Sequence, residues 1–347
     1  MQRLCGASTL VPLSTPITDS RALQTTRVSK CYPGGITALD AVDLEVSGGQ
    51  LVALIGGNGA GKTTLLKLIA GHIRPDSGSV TVLGHDPAQA GQAMRRDLAS
   101  VSQTPALDPE MTVGETLEFF AVLYELPAAR LASIVADVAR RFGLDSILAR
   151  RVNACSGGMR QRLHLAATML HAPRLMLLDE PTNNLDAEGR GFLWNVLLEK
   201  ARAGVAVLLS THDLGAVERT ADRVLVMHQG RILADARPLE LKREHGVPLL
   251  ALRFAESRGD VREVQSSIQQ LAISGEAVIR EGSAVISLPS DPGEETRILE
   301  HLAHAGIVVT AATRQAPDLA SACWALTKDL PDAPGGKTAG GRRGRKH

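Results

Sequence analysis

Eight consecutive residues, Gly56-Gly57-Asn58-Gly59-Ala60-Gly61-Lys62-Thr63, fit the pattern G-x-x-x-x-G-K-[ST]. They follow the unbroken apolar run Leu51 to Ile55 and precede a segment carrying Leu65, Leu66, Leu68 and Ile69 on a helix. A buried strand, a glycine loop and a helix in that order are the context in which such a loop holds phosphate. The glycines let backbone N–H groups curl around phosphate oxygens, where a Cβ would block the approach. The helix N-terminus adds partial positive charge at the same point. Lys62 is then placed to neutralise the β- and γ-phosphates, and the Thr63 hydroxyl to face Mg²⁺, with Thr64 beside it. A bound nucleoside triphosphate is the expectation.

Leu175 to Leu178 and Val205 to Leu209 repeat the character of Leu51 to Ile55, as strands covered on both faces of a parallel sheet do. The first of them ends in Asp179-Glu180. A strand end beside the phosphate loop puts Asp179 where it can hold the Mg²⁺ shell. Glu180, one residue on, can orient and deprotonate a water in line with the γ-phosphate. Together with Lys62, the acid pair points to hydrolysis rather than binding alone.

Residues 23 to 46 read as two strands around Pro33-Gly34-Gly35, with Val42, Leu44 and Val46 alternating on the second. Between the first two apolar runs the period turns helical: Val113, Leu117, Phe120, Ala121 and Tyr124 share one face, as do Leu131, Val135, Val138 and Phe142. This is a helical insert in an α/β core. After about Gly246 the register changes again. Leu250, Leu252 and Phe254 alternate as a strand, and Val261, Val264, Ile268 and Leu271 lie on a helix face. Two strand-like pieces, Ala277 to Ile279 and Ala284 to Leu288, flank Glu281-Gly282; a helix with Ile298, Leu299 and Leu302 and a strand Ile307 to Ala311 follow. That order is βαββαβ, the ferredoxin-like split, with a last helix around Trp324. No nucleophile–base constellation appears in it, so an accessory role is expected. The division is therefore a flexible extension (1–20), an ATPase domain (21–245), a small α+β domain (246–330) and a disordered basic tail (331–347).

Lys and Arg number 38 against 37 Asp and Glu, which argues against a chain built to coat nucleic acid. The longest apolar runs, such as Phe119 to Tyr124, fall far short of the ~20 residues a membrane span needs. Cys5, Cys31, Cys155 and Cys323 lie far apart, so neither a zinc site nor a disulfide framework is expected, and a reducing cytosol suits the chain. Met1 to Ser20 lacks the apolar stretch of a secretory signal. The tail carries Lys337, Arg342, Arg343, Arg345 and Lys346. Its readings are a solvated tail or weak attraction to anionic lipid headgroups.

Cys155-Ser156-Gly157-Gly158-Met159 stands just upstream of the acid pair and opens a helix of Leu163, Ala166, Ala167 and Leu170. It resembles the signature loop of ATP-binding-cassette (ABC) ATPases, usually Leu-Ser-Gly-Gly-Gln. Tyr32, Gln103, Asn184-Leu185-Asp186 and His212 match, in order, that family's adenine-stacking aromatic, Q-loop, D-loop and H-loop. The resemblance covers about residues 22 to 240. It implies a P-loop cassette: a RecA-like core, an antiparallel β subdomain and a helical subdomain. It also implies that Tyr32 stacks on adenine, that the Gln103 amide touches Mg²⁺ and water, and that His212 hydrogen-bonds the γ-phosphate. Ser156, Gly157 and Gly158 would present a capped helix N-terminus to the γ-phosphate held by a second cassette, with Asp186 beside it. Two chains would thus pair head to tail around two MgATP. Cys155, Met159 and Gly57 depart from the usual Leu, Gln and Pro. Activity is expected with weaker trans ATP binding, and Cys155 is either a reactive thiol near a helix N-terminus or a buried inert one.

The resemblance implies an ATPase subunit that pairs with a second nucleotide-binding subunit, as a homodimer, and drives separate transmembrane permease subunits from the inner face of the membrane. A single cassette followed by a small α/β domain looks most like the ATPase subunits of exporters, drug and antibiotic efflux included, and no nucleic-acid partner is expected. The alternative is a soluble cassette ATPase acting on ribosomes or DNA. The family's ribosomal members carry two cassettes and its repair members long coiled coils, and neither is present here. A module that binds ATP without cleaving it would need Glu180 or His212 to be ineffective.

Overall fold

The computed structural model describes residues 21–103, 107–255, 264, 266–267, 277–280, 283–287, 293–328 and 330. The extension 1–20, the tail 331–347, Val261, Ile268 and Leu271 of the expected helix, and Glu281, Gly282 and Leu288 of the expected strand pair lie outside these residues. The chain forms two compact units, residues up to 213 with 220–232, and residues 214–219 with 233 onward.

The first unit is built on two sheets. Strands β1 (Arg21–Tyr32), β2 (Ile36–Ser47) and β4 (Ser77–Val82) form an antiparallel sheet in the order β2-β1-β4. The Pro33-Gly34-Gly35 turn joins its first two strands, with both glycines at positive φ. Val42, Leu44 and Val46 alternate into the core, as period-2 patterning requires. The second sheet contains β3 (Leu51–Ile55), β5 (Leu98–Val101), β6 (Leu175–Asp179), β7 (Ala206–Ser210), β8 (Arg223–His228) and β9 (Arg231–Ala236), in the order β5-β6-β7-β3-β8-β9. Its pairs from β5 through β8 are parallel. Every residue of β3, β6 and β7 is buried, which is why these strands read as unbroken apolar runs.

Helix α1 (Lys62–Ile69) follows β3 directly and buries Leu65, Leu66, Leu68 and Ile69. After α2 (Gln92–Asp97) comes the helical insert, α3 (Val113–Leu123) and α4 (Ala128–Arg141). A capping box starts α3: the Glu115 N–H donates to Thr112 Oγ1 at 3.1 Å, and the Thr112 N–H donates to Glu115 Oε2 at 2.7 Å. Val113, Leu117 and Ala121 are its buried stripe, with Phe120 and Tyr124 half-buried at its edge. α5 (Gly157–Thr168) and α6 (Ala187–Arg202) flank β6 along the chain, and α7 (Leu214–Thr220) follows β7.

In the second unit β10 (Leu249–Phe254), β11 (Ala277–Arg280), β12 (Ser283–Ser287) and β13 (Val309–Gln315) form an antiparallel sheet in the order β11-β12-β10-β13. This is the strand order of the split βαββαβ unit. Val264, Ser266 and Ser267 are helical, and Val264 packs with Leu250, Leu252, Phe254, Ile286, Ile298 and Leu302. Helix α9 (Glu294–His304) supplies the last two of these. α8 (Pro238–His245) packs against α10 (Leu319–Thr327), the helix expected around Trp324. The final strand starts at Val309, two residues later than the apolar pattern suggested, and runs on to Gln315. Ile307 is buried before the strand begins, whereas Thr310 to Gln315 are exposed on both faces and carry no alternation to read.

Candidate active site

The loop from β3 to α1 is shaped by two glycines that nothing larger can replace. A Cβ on Gly56 would stand 2.3 Å from the Met227 carbonyl oxygen, and one on Gly61, at φ 105°, 2.4 Å from that of Ala38. Gly57 and Gly59 face open space instead, leaving the inside of the loop clear. Gly61 is the N-cap of α1 and offers no side-chain oxygen, so the first N–H groups of the helix point at the loop without a side-chain cap. Lys62 bends back across the loop, its Nζ donating to the Gly56 carbonyl at 2.6 Å and the Gly57 carbonyl at 3.1 Å. Burial lowers the Lys62 pKa, while the charges of Glu180 and Asp179 work to raise it.

The acid pair sits at the end of β6, where parallel pairing sets Asp179 beside Ser210 of β7. The Ser210 hydroxyl donates to Asp179 Oδ1 at 2.6 Å. The Glu180 N–H in turn donates to Ser210 Oγ at 2.9 Å and to the Ser210 carbonyl at 3.2 Å. Glu180 holds φ at 49°, a left-handed conformation that costs an L-residue free energy and gathers at functional sites. Both of its carboxylate oxygens are buried without a hydrogen bond. His212 Nε2 stands 3.0 Å from Oε1, at ion-pair distance but not aligned to donate. Burial pushes the Glu180 pKa up; His212 and Lys62 oppose that, and Asp179 adds to it.

These groups meet in one cavity of about 350 Å³, walled by Tyr32, Asn58 to Thr64, Gln103, Asp179, Glu180 and His212. It joins residues from β1, the glycine loop, the segment after β5, and the ends of β6 and β7. Ile36, Thr37 and Ala38, which sequence reasoning passed over, complete the wall beside Tyr32. Thr63, Gln103 and Asp179 also line a neighbouring cavity of about 220 Å³ under α1, together with Lys67 and His72. Among the described residues no cluster of three or more His, Cys, Asp or Glu side chains could cage a metal. The oxygen donors Thr63, Gln103 and Asp179 suit instead a hard cation that keeps waters and substrate phosphates in its shell, as Mg²⁺ does. The clear glycine cradle and the Glu180 carboxylate, whose oxygens accept no hydrogen bond, fit a triphosphate and a water respectively.

Ser156, Gly157, Gly158 and Asp186 line none of that cavity. Ser156 caps α5, its hydroxyl accepting from the Met159 N–H at 3.2 Å. A Cβ on Gly158 would come 3.0 Å from the Asn184 carbonyl oxygen, so the two loops pack backbone to backbone. Asp186 caps α6, accepting from the Gly189 N–H at 2.8 Å, and lies 3.4 Å from Arg162 of α5. The Gly189 hydrogen bond foremost lowers the Asp186 pKa. Cys155 is buried, its thiol donating to the Arg151 carbonyl. A third cavity, about 450 Å³, runs from Thr182, Asn183, Asn184 and Arg190 to Glu180 and His212, which thus stand between two openings. Among the described residues no helix is long and apolar enough to cross a membrane.

The sequence profile of the family described as "ABC transporter" matches residues 39–183. The daunorubicin/doxorubicin resistance ATP-binding protein DrrA of Streptomyces peucetius is 32% identical over 310 residues, covering 89% of this chain and 93% of that protein. The Nod factor export ATP-binding protein I of Rhizobium etli is 35% identical over 263 residues, 74% of this chain and 81% of its own. A solved ATP-binding subunit of an ABC transporter superposes with a TM-score of 0.61 at 32% identity, covering 64% of this chain and 92% of that one.

Proposed function

This chain belongs to the ABC transporter family as an ATP-binding subunit, and from that premise we propose that it powers an exporter by hydrolysing ATP in the cavity between the glycine loop and the acid pair. The observation that carries the reading is the meeting of Lys62, Asp179, Glu180 and His212 around one space beside an open glycine cradle. The export assignment draws on the names of the two relatives, one a drug-resistance and one an export protein. Neither relative supports action on ribosomes or DNA.

In this reading Tyr32 stacks on the base, while Gly56 to Gly61 and the α1 N-terminus bind the phosphates through their N–H groups. Lys62 leaves its carbonyl partners for the β- and γ-phosphates. Thr63, Gln103 and Asp179 hold Mg²⁺, which when bound neutralises charge on the transferring phosphoryl group. Glu180 takes the proton of the attacking water, its burial having brought its pKa nearer the working pH. His212 orients that water and the γ-phosphate.

The capped helix N-terminus at Ser156 to Gly158, with Asp186 beside it, faces the nucleotide of a second copy of this chain, giving a head-to-tail homodimer. All these motifs lie within residues 21–245, the catalytic cassette, and residues 246–330 act as an accessory domain. The dimer works from the cytoplasmic face of the membrane through separate permease subunits. Glu180→Gln tests the reading: it should retain ATP and accumulate a nucleotide-locked dimer on gel filtration. Unchanged turnover in that variant would remove Glu180 from its role.

A further inference from the structure

Ser210 is fully buried, and its hydroxyl makes a hydrogen bond to each member of the acid pair. It accepts from the Glu180 N–H at 2.9 Å, which directs its own hydrogen to Asp179 Oδ1 at 2.6 Å. The pairing is built into the sheet, because β6 and β7 register Asp179 opposite Ser210. Glu180 leaves the strand in a left-handed conformation, and no hydrogen bond holds its carboxylate. His212 Nε2 stands 3.0 Å from that carboxylate, and the backbone that carries the side chain is pinned at Ser210.

We propose that Ser210 is a positioning residue for hydrolysis: one hydroxyl fixes the carboxylate of Asp179 and the peptide of Glu180, and so sets the geometry between metal-binding acid and base. The inference rests on the reading of Asp179 and Glu180 given above. Ser210 touches neither nucleotide nor water; it acts through its two neighbours. Replacing this buried hydroxyl takes a donor from Asp179 Oδ1, which stays out of water, and leaves the Glu180 N–H only the Ser210 carbonyl at 3.2 Å.

The test compares Ser210→Ala and Ser210→Thr with the wild-type full chain. Ser210→Ala should lower turnover by about tenfold to a hundredfold, the range a small misplacement of reacting groups costs. It should raise the Mg²⁺ concentration needed for half-maximal rate and leave the affinity for a fluorescent ATP analogue measured without metal unchanged. Ser210→Thr, which keeps the hydroxyl, should restore both rate and Mg²⁺ requirement. A Ser210→Ala rate and Mg²⁺ requirement equal to wild type, in a preparation where Glu180→Gln is inactive, would overturn the proposal and leave the underlying reading standing. Full turnover in Glu180→Gln would remove that reading and the proposal with it. Should Ser210→Ala not fold, the isosteric pair Ser210→Thr and Ser210→Val decides: an active Thr and an inactive Val support the hydroxyl role, and equal rates refute it.

Discussion

His212 Nε2 lies 3.0 Å from Glu180 Oε1, with the histidine ring more than half exposed and the carboxylate almost wholly buried. Both residues line the cavity beside the glycine loop, so with the γ-phosphate bound as proposed a water in front of Glu180 would sit against both. The same burial raises the Glu180 pKa. An acid with a raised folded-state pKa costs the fold stability as pH climbs from its unfolded value through its folded one.

Removing the imidazole should therefore harm chemistry more than binding. His212→Ala is expected to cut phosphate release by about a hundredfold, the lower range for loss of a positioned proton-handling group. Affinity for a fluorescent ATP analogue should change little. A turnover within a few-fold of wild type would show that Glu180 works without it.

Lys62→Ala should abolish nucleotide binding. The side chain already lies along the loop on the Gly56 and Gly57 carbonyls, so it is available where the phosphates would come. Titration with the fluorescent analogue gives the answer, and wild-type affinity in the variant would refute the phosphate-loop assignment.

Acid sensitivity should come from two histidines outside the site. Burial pulls the pKa of both His164 and His171 down to about 4. A depressed histidine pKa means that the unfolded chain binds protons the folded one refuses, so stability falls as pH drops from about 6.5 towards 4. Between pH 7 and pH 5 the loss is about 2 kcal/mol for each. His171 stacks on Tyr124 with ring centroids 3.9 Å apart, a contact that phenylalanine preserves. Thermal melts of His171→Phe should show about half the acid-induced destabilisation of wild type, and an identical drop would contradict the assignment.

The core of this site was readable because its signals are local. A run such as Leu51 to Ile55 followed by the glycine loop specifies strand, turn and helix within about twenty consecutive residues. Asp179 and Glu180 were legible because two adjacent acids close an unbroken apolar run, Asp179 as the last residue of the buried strand. Tyr32 and Gln103 gave no such signal by themselves and were found only by resemblance, since their place in the cavity depends on two sheets meeting. Ser210 gives no local signal at all; its link to Asp179 spans 31 residues and exists only through the register of β6 and β7. The same limit hid the full length of β13, whose exposed residues carry no apolar alternation.

The central claim is that this chain converts loss of the γ-phosphoryl group of ATP into opening and closing of a paired cassette. The most direct measurement is inorganic phosphate released by the full chain with Mg²⁺, ATP and its cognate permease, alongside Glu180→Gln under the same conditions. The account predicts saturable, ATP-dependent release by wild type and none above background by Glu180→Gln. Wild-type release no greater than that of Glu180→Gln would contradict it.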